Sequence, residues 1–443
     1  MKITHFCNSF LAVREAKTLL MCDPWIGTAN YGGWLSYPLA DGEEEIFRRH
    51  PPTRLYISHL HSDHLCAKVL AGLPDKNIPV YIKLFKDGAL YRRLTALGFG
   101  NVAQLAAWKP MKISDELEIT IIPADASNSS GLPDEISYDL DTSILIRSLV
   151  DGTVFFNTVD NPMTLEQYGK VKEFVRRQSP RGKIDVACIG VGAASEYPQC
   201  FPGIDRQSER DRIIAASLQK FESQLAALGN EVYFPAGGTY LIPGKFSMLN
   251  RYIAQPGVEQ LRTVVASSST CKSLYEIEGG DSIEKNGAQW VRSDGGLDRL
   301  RTREEAIQAY ANLAYEYTRL PPAPDCAIDD LFPVARENYF ARLAASSVEV
   351  KWRIVFHLYD DLRLDGDGRL PKDAPVRTLT LSENGRQHSP YELICHLDHR
   401  LFLALLKRQC IWNITLSGSI VIFERTPNIF VPEITFSLNY LTI

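Results

Sequence analysis

The stretch Ile57-Ser-His-Leu-His-Ser-Asp-His-Leu65 brings together three imidazoles and one carboxylate, at His59, His61, Asp63 and His64. It continues an apolar run that is typical of a buried strand. A strand that ends in a tight loop can direct all four side chains into one small volume. Imidazole and carboxylate together suit zinc, iron or manganese rather than calcium or magnesium. The stretch therefore predicts a metal site at the end of a strand.

The composition is that of a globular protein of 443 residues, with 45% hydrophobic and 23% charged residues. The net charge of −5 gives no general attraction to nucleic acid or to anionic membranes. No apolar run reaches the length of a membrane span, and the first residues lack the layout of a secretion signal, so we expect a cytoplasmic protein. The nine cysteines form no C-x-x-C pair, which indicates reduced thiols and gives no basis for an iron–sulfur cluster in this sequence.

Strand-like and helix-like segments alternate along the first 320 residues, which predicts an α/β architecture with sheets covered by helices. The predicted strands lie at residues 2–6, 10–13, 18–21, 80–83, 119–123, 142–146, 153–157, 184–191 and 231–234, and the predicted helices at 65–73, 166–178 and 206–228.

The run Pro321-Pro-Ala-Pro324 is the clearest break in the chain, so we predict two domains, at residues 1–320 and 321–443. The second domain is expected to be a small α+β unit. Its predicted elements are strands at 348–358 and 376–381, a helix from His388 to about Lys407, and a strand over Ile411–Glu424.

The H-x-H-x-D-H pattern resembles the first metal motif of the metallo-β-lactamase superfamily, whose fold is an αβ/βα sandwich with the site at the sheet edges. The resemblance implies that His59 and His61 bind one metal ion. It implies that Asp63 and His64 bind a second. That family also has a carboxylate that bridges both metals at the end of a later strand, and Asp160 follows the strand-like Phe155-Phe-Asn. Asp63 and Asp160 are therefore the expected catalytic acids.

The chain departs from the zinc hydrolases of that superfamily because it has no histidine between residues 65 and 356. Other groups must replace the missing nitrogen ligands. We rank Asp125 and Asp139 equally as the replacement and Asp141 behind them, because an Asp that leads into a strand is often a turn acceptor. A carboxylate in place of imidazole makes a site harder and more anionic, which favours ferric iron or manganese over zinc.

Further segments are similar to the catalytic region of the CMP-N-acetylneuraminate hydroxylase family. They are Cys22-Asp-Pro-Trp25, residues 58–65, Asp141-Thr142, Asn157-Thr-Val-Asp160, Gly190-Val-Gly-Ala-Ala-Ser195, Tyr233-Phe-Pro-Ala-Gly237 and His388-Ser-Pro-Tyr-Glu-Leu-Ile394. The resemblance implies an oxygenase with two iron ions that acts on a small polar metabolite.

Two departures from that family limit what can be carried over. The family has a Rieske domain, for which this sequence offers no Cys/His set, so electrons are expected from a separate reductase or ferredoxin, or from the substrate. The region of the third ligand, a His in the family, reads Ile136-Ser-Tyr-Asp-Leu-Asp141 here, so the substrate cannot be transferred.

Two other functions stay open. One is a zinc- or manganese-dependent hydrolase of an amide or a phosphoester, and the other is a degenerate domain that binds a ligand without catalysis. Asp23 is expected either to hold the tautomer of a ligand imidazole or to form a turn with Pro24. His396 and His399 are assigned a structural or dimer-contact role, so a homodimer is among the partners considered, and Lys245 is expected at the solvated surface.

Overall fold

The structure, a computed structural model, describes residues 1–39, 41–124, 141–192, 194–296, 302–321, 327–346, 349–382 and 390–443. Within them, an eight-stranded sheet begins as an antiparallel meander and continues with parallel strands. Its strands, in order across the sheet, are Gln289–Ser293, Ser282–Asn286, Lys2–Cys7, Phe10–Glu15, Thr18–Cys22, Arg54–Tyr56, Val80–Lys83 and Val102–Leu105. The four strands predicted in this sheet are confirmed.

A second sheet of seven strands lies against the first. Its strands, in order, are Ser273–Leu274, Val232–Pro235, Val186–Ile189, Val154–Asn157, Thr142–Ser148, Leu117–Pro123 and Met111–Lys112. Successive residues of a strand point to opposite faces, so Ile144 packs between the two sheets while Leu145 packs on the outer side. The strands predicted between residues 119 and 234 are therefore present, and both faces of this sheet are covered.

Helices cover the outer face of each sheet. Those on the second sheet are Leu165–Gln178, Arg206–Leu228 and Val258–Ser267, and those on the first are Glu43–Arg49, Ala67–Ala71 and Ala89–Ala96. The longest helix has the bounds that the sequence predicted: the Asp205 carboxylate accepts a hydrogen bond from the Ser208 N–H at its start, and Gly229 ends it with a φ of 72°. The two sheets and their helices form the αβ/βα sandwich that the resemblance implied.

A smaller sheet of the strands Tyr240–Leu241, Trp34–Ser36 and Thr28–Ala29 lies beside the sandwich. The C-terminal part of the chain forms a four-stranded sheet in the order Arg377–Leu381, Arg353–Tyr359, Glu392–Asp398 and Ile422–Thr426. The remaining α-helices of the described residues are Arg303–Ala309, Ala327–Ala345, His399–Leu406, Trp412–Ser417 and Pro432–Ser437. The 3-10 helices include Asn30–Gly32, Gly244–Tyr252, Glu316–Arg319 and Leu438–Tyr440.

Two predictions for the C-terminal part are wrong. The helix expected from His388 to Lys407 is a strand over Glu392–Asp398 and a helix only over His399–Leu406, while His388 lies outside the described residues. The segment Glu392–Asp398 pairs with a strand on each side, which requires an extended backbone. The strand expected over Ile411–Glu424 begins only at Ile422, after the helix Trp412–Ser417.

The division of the chain into domains at residues 1–320 and 321–443 remains our proposal. Residues from both sides of that boundary share one hydrophobic cluster, in which the rings of Phe201 and Phe423 lie 5.3 Å apart. Lys245, expected at the surface, is instead only 13% exposed and lies 2.8 Å from Asp361 and 2.7 Å from Asp398. The two parts are therefore joined by apolar packing and by a largely buried ion pair.

Candidate metal centre

The first sheet positions the histidine motif. Strands Thr18–Cys22 and Arg54–Tyr56 are parallel and pair in register, with Cys22 opposite Tyr56. Their carboxyl ends therefore meet at one edge, where Asp23 follows the first strand and the motif follows the second. Such an edge is where ligands bind in open α/β sheets.

The second sheet brings distant acids to the same edge. Strand Val154–Asn157 runs antiparallel to Thr142–Ser148, so the end of one lies beside the start of the other. Asp160 follows the first of these strands and Asp141 precedes the second. The two sheets are tied together here by the Thr142 hydroxyl, which lies 2.6 Å from the Tyr56 hydroxyl and donates to the Ser58 carbonyl at 3.0 Å.

One group of candidate ligands consists of His59, His61 and Asp141. His59 Nε2 lies 2.9 Å from His61 Nδ1 and 3.0 Å from Asp141 Oδ1. Two imidazole nitrogens and one carboxylate oxygen thus converge on one point, a donor set that zinc, iron and manganese all accept.

A second group consists of His59, His64 and Asp160. His64 Nε2 lies 3.1 Å from Asp160 Oδ2 and 3.3 Å from Asp63 Oδ2. His59 belongs to both groups, and its ligand atom lies within 4.8 Å of those of His64 and Asp160. The two groups are therefore adjacent, as the ligands of two neighbouring ions would be.

The donor atoms are spaced as ligands of a metal ion are. With metal–ligand bonds of about 2.1 Å, two ligand atoms at right angles lie about 3.0 Å apart. The separations of 2.9 and 3.0 Å around His59 Nε2 agree with that spacing. Asp141 Oδ1 is buried, and its approach to His59 Nε2 at 3.0 Å lacks the geometry of a hydrogen bond, so a cation between the two atoms would satisfy it. The residues present therefore fit a bound metal.

The nitrogens that face away from the convergence point have partners of their own. The Ser58 hydroxyl lies 2.9 Å from His59 Nδ1, and Asp23 Oδ2 lies 2.9 Å from His64 Nδ1. Asp23 is completely buried and also accepts hydrogen bonds from the Ser58 N–H and hydroxyl, at 2.8 and 2.6 Å. Of the two expectations for Asp23, the structure shows the contact with a motif imidazole. Such a partner holds the proton on the outer nitrogen and leaves the inner nitrogen free for a metal.

Mutual attraction between these groups shifts their pKa values. Burial lowers the pKa of His64, but the carboxylates of Asp63 and Asp160 outweigh it and raise that pKa well above its usual value. Burial also opposes the change at His59, where Asp141 raises the pKa. Burial raises the pKa of Asp63 and of Asp141, but the imidazoles outweigh it and lower both. A metal must displace the imidazole protons, so its affinity should rise with pH.

A cavity of about 330 Å³ opens directly onto these groups. His61, Asp63, Asp141 and Asp160 lie in its wall at the metal end. Its other lining residues include Trp34, Asn161, Tyr168, Gly190, Gly192, Lys220, Gln224, Gly237, Gly238, Gln255 and Ser417. Its volume is at the lower end of the range for small-molecule sites.

The structure brings together five of the residues that the sequence selected: His59, His61, Asp63, His64 and Asp160. Asp125 and Asp139 lie outside the described residues. Asp141, ranked behind them, is the acid that lies against His59. The sequence signal for Asp141 was its position immediately before a strand, but an Asp at such a position often only accepts hydrogen bonds within a turn. The roles of these five residues and of Asp141 as metal ligands remain proposals.

The aromatic residues after Asp23 are placed differently from one another. Trp25 is completely buried in the core, whereas Trp34 lies in the cavity wall and stacks on Tyr240 with ring centroids 4.0 Å apart. The Tyr31 hydroxyl accepts a hydrogen bond from the Ile411 N–H at 2.9 Å. Only part of this aromatic segment therefore lines the cavity, and another part holds the C-terminal region.

Within the described ranges, no helix combines the length and the apolar character that crossing a bilayer requires.

No family model matches the chain. The cytidine monophosphate-N-acetylneuraminic acid hydroxylase of Xenopus laevis is 26% identical over 259 residues, which cover 54% of this chain and 38% of that protein. A putative Rieske 2Fe-2S iron-sulfur protein of Mycobacterium tuberculosis is 24% identical over 357 residues, which cover 70% of this chain and 67% of that protein. The chain thus spans less than half the length of the hydroxylases that it matches.

Two solved structures are similar at a lower level. A metallo hydrolase from Ignicoccus hospitalis has a TM-score of 0.44 and 18% identity, and covers 66% of this chain and 98% of its own. CmlA, a diiron β-hydroxylase from Streptomyces venezuelae, has a TM-score of 0.41 and 16% identity, and covers 66% of this chain and 54% of its own. The two sheets and their helices give the chain an αβ/βα sandwich, and over about half its length its sequence is similar to the CMP-N-acetylneuraminic acid hydroxylases.

Proposed function

We propose that this chain is a metal-dependent oxygenase that holds two iron ions and oxidises a small polar metabolite. His59, His61 and Asp141 would hold one ion, and His64, Asp63 and Asp160 the other. Asp160 would bridge the two, a role supported by its carboxylate oxygen, which lies within 4.8 Å of ligand nitrogens of both His59 and His64.

The observation that carries this proposal is the balance of ligand types. Three neutral imidazoles are matched by three carboxylates, Asp63, Asp141 and Asp160, so the set contributes about three negative charges. Zinc hydrolases of this fold use more imidazole, and each exchange of imidazole for carboxylate favours harder, higher-valent cations. Ferric iron satisfies that preference better than zinc does.

The residues around the centre would each have a definite role. Asp23 and the Ser58 hydroxyl accept hydrogen bonds from the outer nitrogens of His64 and His59, so the inner nitrogens would bind a metal that displaces their protons. The cavity admits a substrate of modest size to the edge of the centre. Iron bound there would supply the one-electron chemistry that activates dioxygen.

The relatives suggest the first compound to test and a source of electrons. CMP-N-acetylneuraminic acid is the compound named for the hydroxylases, and a Rieske 2Fe-2S protein is also among the matches. An electron carrier such as a ferredoxin or a reductase would therefore act with this chain, either as a separate partner or through another part of the same protein.

A zinc or manganese hydrolase is the second candidate. The specific observation in its favour is that His59, His61 and Asp141 alone form a complete three-ligand site next to an open cavity, as catalytic zinc sites do. A Lewis-acidic ion there would polarise an amide or phosphoester. A degenerate domain without metal is the third candidate, and the convergence of imidazole nitrogens and carboxylate oxygens around His59 argues against it.

The test is elemental analysis of the chain purified anaerobically, together with its optical spectrum after oxidation. We expect about two irons per chain and a ferric charge-transfer band. Asp160→Ala should lose at least one ion, whereas the exposed Asp115→Ala should keep both. Zinc with ester or amide turnover would favour the hydrolase, and unchanged metal content in Asp160→Ala would remove the bridging role. Oxygen uptake with CMP-N-acetylneuraminic acid and a reduced ferredoxin then tests the reaction.

A further inference from the structure

The imidazole of His61 has its outer nitrogen directed at a residue from the far end of the chain. His61 Nδ1 faces His59 Nε2, at 2.9 Å, and is therefore the inner nitrogen. His61 Nε2 lies 3.4 Å from the carboxamide nitrogen Nδ2 of Asn413, on the helix Trp412–Ser417. The histidine motif thus contacts a residue of the proposed second domain, residues 321–443, which forms the C-terminal unit.

All three motif histidines share this arrangement. Each has one nitrogen turned toward the acids and the other turned toward a polar side chain. The outer partners are the Ser58 hydroxyl for His59, the Asp23 carboxylate for His64, and the Asn413 carboxamide for His61. Asn413 is the only one of the three that comes from outside the αβ/βα sandwich.

Chemistry assigns the direction of this hydrogen bond. If Nδ1 of His61 gives its lone pair to a metal, the ring proton must reside on Nε2, which then needs an acceptor. The Asn413 oxygen provides that acceptor once the carboxamide is rotated by half a turn, which exchanges the positions of its nitrogen and oxygen. Asn413 would therefore accept from Nε2–H and hold His61 in the tautomer and orientation that ligation needs.

The position of Asn413 is set by close packing on both sides of the motif. A Cβ at Gly33 would overlap the Gly418 carbonyl oxygen, so the backbone that ends the Asn413 helix lies directly on the loop before Trp34. In that loop, Asn30 accepts from the Ser62 hydroxyl and donates its N–H to the same oxygen, both at 2.8 Å. The histidine motif, the loop and the C-terminal helix are therefore fixed relative to one another.

We infer that Asn413 is a positioning residue for the metal ligand His61, and hence that the C-terminal unit completes the metal centre. This inference rests on the proposed metal site. It gives the C-terminal unit a role in metal binding that neither its sequence nor its small sheet indicated.

The experiment measures metal affinity of the full chain, without any substrate. The metal-free chain is titrated with Co²⁺ and, anaerobically, with Fe²⁺ against a chromophoric chelator, and the cobalt d–d spectrum is recorded. We expect Asn413→Ala to bind about 10- to 100-fold more weakly than the wild type and to change the cobalt spectrum. Asn413→Asp, which keeps an acceptor, should stay within a few-fold of the wild type.

The matched control is Asn428→Ala, because Asn428 is exposed and contacts Arg425 and Tyr197 instead of the motif. It should bind metal like the wild type. Urea unfolding of each metal-free variant separates a loss of stability from a loss of ligation, and Asn413→Asp supplies the comparison if Asn413→Ala does not fold.

Two results would overturn the inference while leaving the proposed function intact. One is wild-type affinity in Asn413→Ala, and the other is an Asn413→Asp affinity as low as that of Asn413→Ala, which would indicate a purely structural contact. A wild-type chain that takes up neither cobalt nor iron would instead remove the proposed metal centre, and this inference with it.

Discussion

Replacing Asp23 by Asn should weaken metal binding, because it should move the proton of neutral His64 from one ring nitrogen to the other. Asp23 is completely buried, and its Oδ1 accepts a hydrogen bond from the Ser58 N–H. Its Oδ2 accepts from the Ser58 hydroxyl and lies 2.9 Å from His64 Nδ1. An Asn has only one acceptor oxygen. If that oxygen keeps the Ser58 N–H, the amide NH₂ group faces His64 Nδ1 and donates to it.

The consequence is a change of tautomer. With Nδ1 as an acceptor, the proton of neutral His64 moves to Nε2, the atom that lies 3.1 Å from Asp160 and 3.3 Å from Asp63. A protonated Nε2 has no lone pair for a metal. Loss of such an imidazole partner typically costs about 10- to 100-fold in metal affinity, or about 1.4–2.7 kcal/mol. We expect at least that loss at the ion held by His64.

The assay is chelator competition with Co²⁺ or Fe²⁺, combined with urea unfolding of the metal-free chain. Losing one hydrogen bond to a buried carboxylate should also lower the free energy of unfolding by about 1.5–3 kcal/mol. Asp185→Asn is the matched control: Asp185 is buried, accepts from the Val154 N–H at 2.9 Å, and lies at the opposite end of its strand from the metal edge. It should lose stability but keep metal affinity. Wild-type metal affinity in Asp23→Asn would refute the tautomer argument.

Three further predictions concern stability and are checked by urea or thermal unfolding. Gly33→Ala should cost about 1–3 kcal/mol, because its Cβ would overlap the Gly418 carbonyl oxygen, and a neutral effect would show that the loop is not tightly packed. Lys245→Met should cost about 3 kcal/mol by leaving the buried Asp398 without its cation, so an unchanged midpoint would contradict the ion pair. Burial, with a smaller contribution from a neighbouring imidazole, lowers the pKa of His396 to about 3. The unfolded chain, with a His pKa near 6.5, then binds a proton first, so stability should fall by about 2–4 kcal/mol as pH drops from about 6.5 toward 3. His396→Gln should lose that part of the pH dependence; an identical profile would exclude His396 as its source.

The histidine motif and the α/β architecture could be predicted from the sequence because both depend on short-range patterns, whereas the αβ/βα sandwich was implied by the resemblance to a known superfamily. Alternating apolar residues set the strands, and one strand end carries three imidazoles and a carboxylate within a single loop. The bounds of the long helix Arg206–Leu228 could also be predicted, because Asp205 and Gly229 mark its two ends. The residues that carry these signals are neighbours in the sequence, so the pattern can be recognised without knowledge of the tertiary structure.

The remaining partners of the centre were decided by tertiary structure. Asp141 and Asn413 are separated from the motif by about 80 and 350 residues, and no local pattern distinguishes them from any other Asp before a strand or Asn in a helix. The helix predicted over Glu392–Asp398 is wrong for the same reason, because this segment is held extended by pairing with two strands from other parts of the chain. Local sequence sets which atoms can bind a metal, whereas the pairing of the sheets and the packing of the C-terminal helix determine which of them meet.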